Sequence, residues 1–184
     1  MKKILLVSFL IINFNNIALS SIKESIVNNL INIENLSFNF EQNINGKIET
    51  GNCIIKYPKK IFCEYDKSNG KILVSNGKSL VIKNKSGSYY RYSIKKTPLN
   101  YILDKNFLIN EIENLNERII DNKFVNFTIL KDKNEINVFF DIDNFNLVGW
   151  QTMDIYQNLN ITHISSLKKN IILKKNIFKI PSVN

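Results

Sequence analysis

After Asn35 the spacing of apolar residues falls to two and, apart from one interruption, stays there. A period of two commits most of the chain to half-buried β-strands. Leu36, Phe38 and Phe40 point one way while Ser37, Asn39 and Glu41 point the other. The pattern recurs at Val125, Phe127 and Ile129, at Ile136, Val138 and Phe140, at Trp150 and Thr152, and at Leu159, Ile161 and His163. Turn signals separate the runs: Asn45-Gly46, Tyr57-Pro58-Lys59-Lys60, Lys67-Ser68-Asn69-Gly70, Asn76-Gly77 and Lys85-Ser86-Gly87. Short strands joined by such turns read as a meander of antiparallel hairpins.

Helical spacing occurs in two places. Ser21-Ile22-Lys23-Glu24 fits a capping box, and Ile22, Ile26, Val27, Leu30 and Ile33 then share one face. In mid-chain, Thr97-Pro98 sets an N-cap residue before a proline at the first helical position, with Leu99, Ile102 and Leu103 following. A further turn or two is expected over Phe107 to Leu115, with Leu108, Ile112 and Leu115 apolar. The expected fold is therefore mainly β with short helices. A strongly curved antiparallel sheet forms a half-open β-barrel, and a helical lid covers its concave face. Such a barrel either fills its interior with side chains or keeps room for an apolar ligand, and strand patterning fits both.

The N-terminus reads as a secretory signal. Lys2 and Lys3 precede the apolar run Ile4 to Ile12, and Ala18-Leu19-Ser20 supplies small residues, so cleavage is expected after Ser20. Asn13, Asn15 and Asn16 break the run well short of the roughly 20 apolar residues of a membrane span. Residues 1–20 are thus the expected signal peptide and residues 21–184 a single domain in the periplasm. Cleavage lowers the net charge of +9 by two. Export removes nucleic acid as a partner, and the lysines read as scattered between apolar positions, a solvated face.

Chemistry-bearing constellations are sparse, and neither a cofactor nor a metal is expected. His163 shares its strand face with Leu159 and Ile161 and reads as packed rather than catalytic. Asp141-Ile142-Asp143-Asn144 opens like a calcium loop, but Asn146 and Thr152 stand where glycine and glutamate are needed, so it reads as a strand end and turn. Cys53 and Cys63 are equally spaced about Pro58, so a hairpin turning there sets them opposite one another. Either a disulfide or two small buried apolar residues fits that spacing.

Gly51-Asn52-Cys53-Ile54-Ile55-Lys56-Tyr57-Pro58-Lys59-Lys60-Ile61-Phe62-Cys63-Glu64-Tyr65 resembles a signature of the LolA-type outer-membrane lipoprotein carriers: glycine, apolar strand, basic residue, proline, apolar strand ending Glu-Tyr. Ile72-Leu73-Val74-Ser75-Asn76-Gly77-Lys78 is similar to the family's Leu-Val-Ser-Asp-Gly hairpin, Thr97-Pro98-Leu99 to its Thr-Pro helix start, and Phe38 with Gln42 to its opening strand. With Phe178 to Pro181, the resemblance spans residues 21–184 in order. It implies a non-enzymatic carrier of lipoprotein acyl chains. Such a carrier is loaded by an inner-membrane lipoprotein-releasing ABC transporter and unloaded by an outer-membrane lipoprotein receptor. It also implies that Ile61 and Leu73 matter for transfer, and that Tyr57 stands where the family has a lid-holding arginine, a role a phenol fills only in part.

Periodicity adds Phe38, Phe40, Ile102 and Leu103 to Ile61 and Leu73 as the expected lipid-binding lining, with Tyr57 as a lid contact. Two alternatives stand beside the lipoprotein carrier: a periplasmic binder of phospholipid or glycolipid, and a structural or sensory domain on the same fold. N-terminal sequencing of the exported protein is expected to begin at Ser21; an intact Met1 would overturn the signal reading.

Overall fold

A computed structural model describes residues 21–67, 69–153 and 157–183. The expected signal, residues 1–20, and the turn residue Ser68 lie outside the described residues. Ser21 caps the first helix, α1 (Ile22–Ile31), its hydroxyl accepting the Glu24 N–H at 3.1 Å. Ile26, Val27 and Leu30 on this helix are buried. The chain then zigzags through β1 (Asn35–Ile44), β2 (Lys47–Lys56), β3 (Lys60–Tyr65), β4 (Ile72–Asn76), β5 (Ser79–Lys83) and β6 (Tyr89–Ser93). Asn45 and Gly46, at φ 51° and 83°, make the two-residue turn that sets Ile44 opposite Lys47. A second meander follows the mid-chain helices: β7 (Arg118–Ile120), β8 (Phe124–Lys131), β9 (Asn134–Asp141), β10 (Leu147–Met153) and β11 (Leu159–Lys169).

The two meanders form one antiparallel sheet because β11 returns to pair with β1, from Leu36 opposite Lys169 to Ile44 opposite Asn160. The strand order is β6-β5-β4-β3-β2-β1-β11-β10-β9-β8-β7, so β6 and β7 are the edges. These edge strands are neighbours in the chain, separated only by a 3-10 turn (Ile94–Lys96), α2 (Leu99–Ile102) and α3 (Lys105–Asn114). The mid-chain helices therefore bridge the opening of a half-open barrel, and α3 packs on α1. Thr97 does not cap α2: its hydroxyl donates to the Ile94 carbonyl at 2.9 Å, and Pro98 holds the N-cap position. The next cap is Asp104, whose carboxylate accepts the Phe107 N–H and starts α3. Lys105 donates to the Ile31 and Ile33 carbonyls at 2.9 and 2.8 Å, satisfying orphan acceptors past the end of α1.

The core lies between the concave face of the sheet and the helices. Val125, Phe127, Ile129, Ile136, Val138 and Phe140 are wholly buried, and Phe127 meets Phe140 edge-on at 6.1 Å. Phe38 meets Trp150 in the same way at 6.3 Å. Gly51 is required where it stands: an added Cβ would sit 2.1 Å from the Glu64 carbonyl oxygen and 2.8 Å from the Phe40 ring. The turn after β9 forms as expected, Asp141 accepting the N–H groups of Asp143 and Asn144, both at 3.0 Å.

On β11 the face assignment differs from the expectation. His163 and Leu159 face solvent, while Thr162 points inward and is buried. The inward positions of this strand run Asn160, Thr162 and Ile164, with Ile164 packed against the core, so polar residues occupy inward positions that a rule of apolar spacing assigns outward. A second departure concerns Val74 and Val81, which alternation turns to the convex face and which are nonetheless buried. The C-terminal tail lies over that face. It is tied by Asn35 to the Ile171 backbone, by Lys83 to the Ser182 carbonyl at 3.0 Å and by Tyr89 to the Pro181 carbonyl at 3.2 Å.

Cys53 and Cys63 occupy directly opposite positions on β2 and β3, with Cα atoms 4.1 Å apart, and are joined in a disulfide. Closing so short a loop removes about 2–3 kcal/mol of unfolded-state entropy. Replacing both cysteines by alanine is expected to lower stability in urea by about that amount. Alkylation should find no reactive thiol before reduction; two freely labelled cysteines would rule the bridge out.

Candidate functional site

The interior is divided. Beneath α1 and α3 it is filled by the buried residues of β8 and β9, whereas beneath α2 a cavity of about 330 Å³ remains between lid and sheet. Phe40, Ile61, Leu73 and Ile102 all line this cavity. Phe38 and Leu103 belong instead to the packed core, at 2% and 0% exposure. Sequence reasoning missed Trp150, Tyr65, Leu80 and Leu99 as lining residues, and missed that the Cys53–Cys63 bridge forms part of the wall. Residue pattern gave no way to single out Leu80, since Leu80-Val81-Ile82 is one continuous apolar run.

Polar groups lie at the cavity's other walls and just behind them. Glu49 is buried on the inward side of β2, and Lys71 reaches it at 2.5 Å while Lys47 holds its second oxygen at 3.1 Å. Burial alone would raise the Glu49 carboxyl, but the hydrogen bonds and charges of Lys71 and Lys47 outweigh it and leave the group below its ordinary range. The Lys71 ammonium also lies 4.0 Å from the centre of the Tyr65 ring. Burial, aided by the charge of Glu49, pushes the Tyr65 phenol up, so it stays protonated. Across the cavity Gln42 donates to the Thr162 hydroxyl at 3.4 Å, and the buried Asn160 side-chain oxygen has no partner. The site thus offers a long apolar wall with a few polar groups, which suits a flexible chain with a polar end. Among the described residues no group of three or more His, Cys, Asp or Glu is placed to hold a metal.

The lid is pinned on both sides. The turn between β2 and β3 reaches it through Lys59, whose N–H donates to the Leu103 carbonyl at 2.6 Å and whose ammonium pairs with Asp104 at 3.2 Å. On the opposite side Tyr101 of α2 donates to Asp132 in the β8–β9 turn, a bond that raises the Tyr101 phenol. Tyr57 packs against the core with its hydroxyl buried and unpartnered, and burial pushes that phenol up. Polar contact with the lid therefore comes from Lys59, two residues beyond Tyr57. The residue pattern gave no sign of this, because a lysine in a turn reads as solvated.

A family model described as outer membrane lipoprotein carrier protein LolA matches residues 32–181. The chain belongs to the LolA family. That is a family of lipoprotein carriers, and the curved sheet, crossing helices and cavity of this LolA-family chain fit lipid binding. Among solved structures, an uncharacterised conserved protein from Thermus thermophilus is similar in fold, with a TM-score of 0.52 at 6% identity over 87% of this chain and 92% of that one. A LolA superfamily protein from Nitrosomonas europaea gives 0.48 at 10% identity over 86% and 96%. The Pseudomonas aeruginosa MucA/MucB complex gives 0.48 at 10% identity over 85% of this chain and 60% of that one. Among curated proteins no match is found. No helix among the described residues is long and apolar enough to cross a membrane.

If Lys59 holds the lid, Lys59→Ala should speed hydrogen exchange of the Leu99–Leu103 amides about tenfold, the equivalent of roughly 1.4 kcal/mol for a charge-assisted contact. Tyr57→Phe removes a hydroxyl that bonds nothing and should leave those rates unchanged. Equal protection in wild type and Lys59→Ala would dismiss the latch.

Proposed function

We propose that this chain is a periplasmic carrier that takes the acyl chains of lipoproteins into the cavity beneath α2 and hands them from the inner to the outer membrane. The observation that carries the reading is the cavity itself, about 330 Å³ of apolar-walled space that the sheet and lid leave unfilled. Each methylene left in water costs roughly 0.8 kcal/mol, so an acyl chain crosses an aqueous compartment only inside such a wall. At about 330 Å³ the cavity sits at the small end of ligand sites, and a lipoprotein with several chains requires the lid to lift. α2 suits that movement, being one helical turn held by a few polar bonds rather than by a ladder.

Loading and unloading then fall to an inner-membrane lipoprotein-releasing ABC transporter and an outer-membrane lipoprotein receptor, and residues 1–20 act as the signal that brings residues 21–184, as one domain, to the periplasm. The proposed role is binding and release without chemistry, which agrees with the carrier family that the chain belongs to. A second reading, in which the cargo is a free anionic lipid, is favoured by one feature: Lys96 lines the cavity and forms no ion pair among the described residues. Mass spectrometry of natively purified protein separates the two, since a triacylated lipoprotein and a free lipid differ in mass.

The central test is binding of a fluorescent acyl probe. Leu73→Asp should weaken it by at least about tenfold while circular dichroism stays native, because a charge on a wall that opens to water can be solvated there. Leu130→Asp, on a side chain 74% exposed, is the control and should bind like wild type. Absence of probe binding by wild type, or outright unfolding of Leu73→Asp, would replace the carrier reading by a filled core.

A further inference from the structure

Outside the cavity, on the convex face, the C-terminal tail brings together lysines that the sequence spreads apart. Residues 168–179 hold five lysines and neither aspartate nor glutamate, interleaved with Ile171, Ile172, Leu173, Ile177 and Phe178. The tail lies against the outward residues of β2, β3 and β4. There Lys56, Lys60, Lys174 and Lys179 line a groove of about 460 Å³ with Leu173, Ile177 and Phe178. None of these four lysines forms an ion pair among the described residues. Glu34 beside Asn35 and Glu64 on β3 are the nearby carboxylates in sequence, and neither pairs with a lysine of the groove. Ile172 stands between Ile171, which Asn35 brackets with two hydrogen bonds, and Leu173 in the groove, yet it is 99% exposed.

We infer that this strap is a docking surface for an anionic bilayer, the lysines meeting lipid phosphates and Ile172 entering the headgroup region. Uncompensated lysines call for an anionic partner. A bare isoleucine held among them is what separates a bilayer from an acidic protein: it gains by leaving water for the acyl boundary, whereas carboxylates give it nothing. The strap is already ordered by its bonds to Asn35, Lys83 and Tyr89, so little chain entropy is lost on docking. The surface is independent of the cargo reading, because none of its residues lines the cavity.

The experiment is sedimentation of the chain from Ser21 onward, which contains every described element, with vesicles of phosphatidylcholine alone or enriched in phosphatidylglycerol. Binding is expected on the anionic vesicles and should fall as salt rises. Lys174→Gln and Lys179→Gln should each weaken it roughly fivefold. Ile172→Ser should weaken it roughly tenfold, with circular dichroism and binding of a soluble acyl probe unchanged. Failure to bind, or equal binding to both vesicle types, overturns the inference. So does a loss confined to the lysine variants with Ile172→Ser unaffected, which would assign the strap to an acidic protein surface. Because the acyl probe reports the cavity separately, failure here leaves the carrier reading standing or falling on its own test.

Discussion

Everything in this molecule depends on the pairing of its first strand with its last. β1 is hydrogen-bonded on one side to β2, its neighbour in sequence, and on the other to β11, more than a hundred residues away. Local hairpins form each meander, but only the β1–β11 ladder makes the two into one curved surface. That ladder also places the two edge strands on either side of the opening that the mid-chain helices cross. A contact of such sequence separation is costly in loop-closure entropy. It is supported where it forms by the buried side chains of Leu36, Phe38 and Phe40.

The curved surface is used unequally. Under α1 and α3, wholly buried aromatic and aliphatic side chains of β8 and β9 interlock, and this half provides rigidity. Under α2 the side chains stop short of one another, and a disulfide supports the wall where packing is thinner. A binding protein needs both conditions together. A uniformly filled interior would leave no site, and a uniformly open one would lose the dispersion and hydrophobic terms that hold the sheet in its curve.

Much of this was legible in residue spacing. Alternation found the inward faces of β1, β8 and β9, the capping box found α1, and the turn dipeptides found the hairpins. Four of the six expected lining residues share one cavity: strand alternation supplied Phe40, helical spacing Ile102, and the family resemblance Ile61 and Leu73. Alternation gives the face of a strand. It does not say how far along that face the packed region ends, and Phe38 lies beyond that limit. The misread elements have physical reasons too. β11 turns Thr162 and Asn160 inward, so a rule equating apolar with inward put His163 on the wrong side. Thr97 serves the turn before it rather than the helix after it. Lys59 and the groove lysines gain their meaning from partners far away in sequence, which local pattern does not contain.

The two ends of the sheet carry a final consequence. An open sheet exposes a row of unpaired backbone groups at each edge, and such rows template association between chains. Here one edge is the three-residue β7, beginning at Arg118 and followed by Asp121 and Asn122 at positive φ, where strand geometry cannot continue. The other is the five-residue β6, with Arg91 at its centre and Lys95 and Lys96 just beyond it. Short, charged and abruptly ended, neither edge offers a partner strand the length it needs. A barrel left open beneath its crossing helices is in this way protected from aggregating along its two free edges.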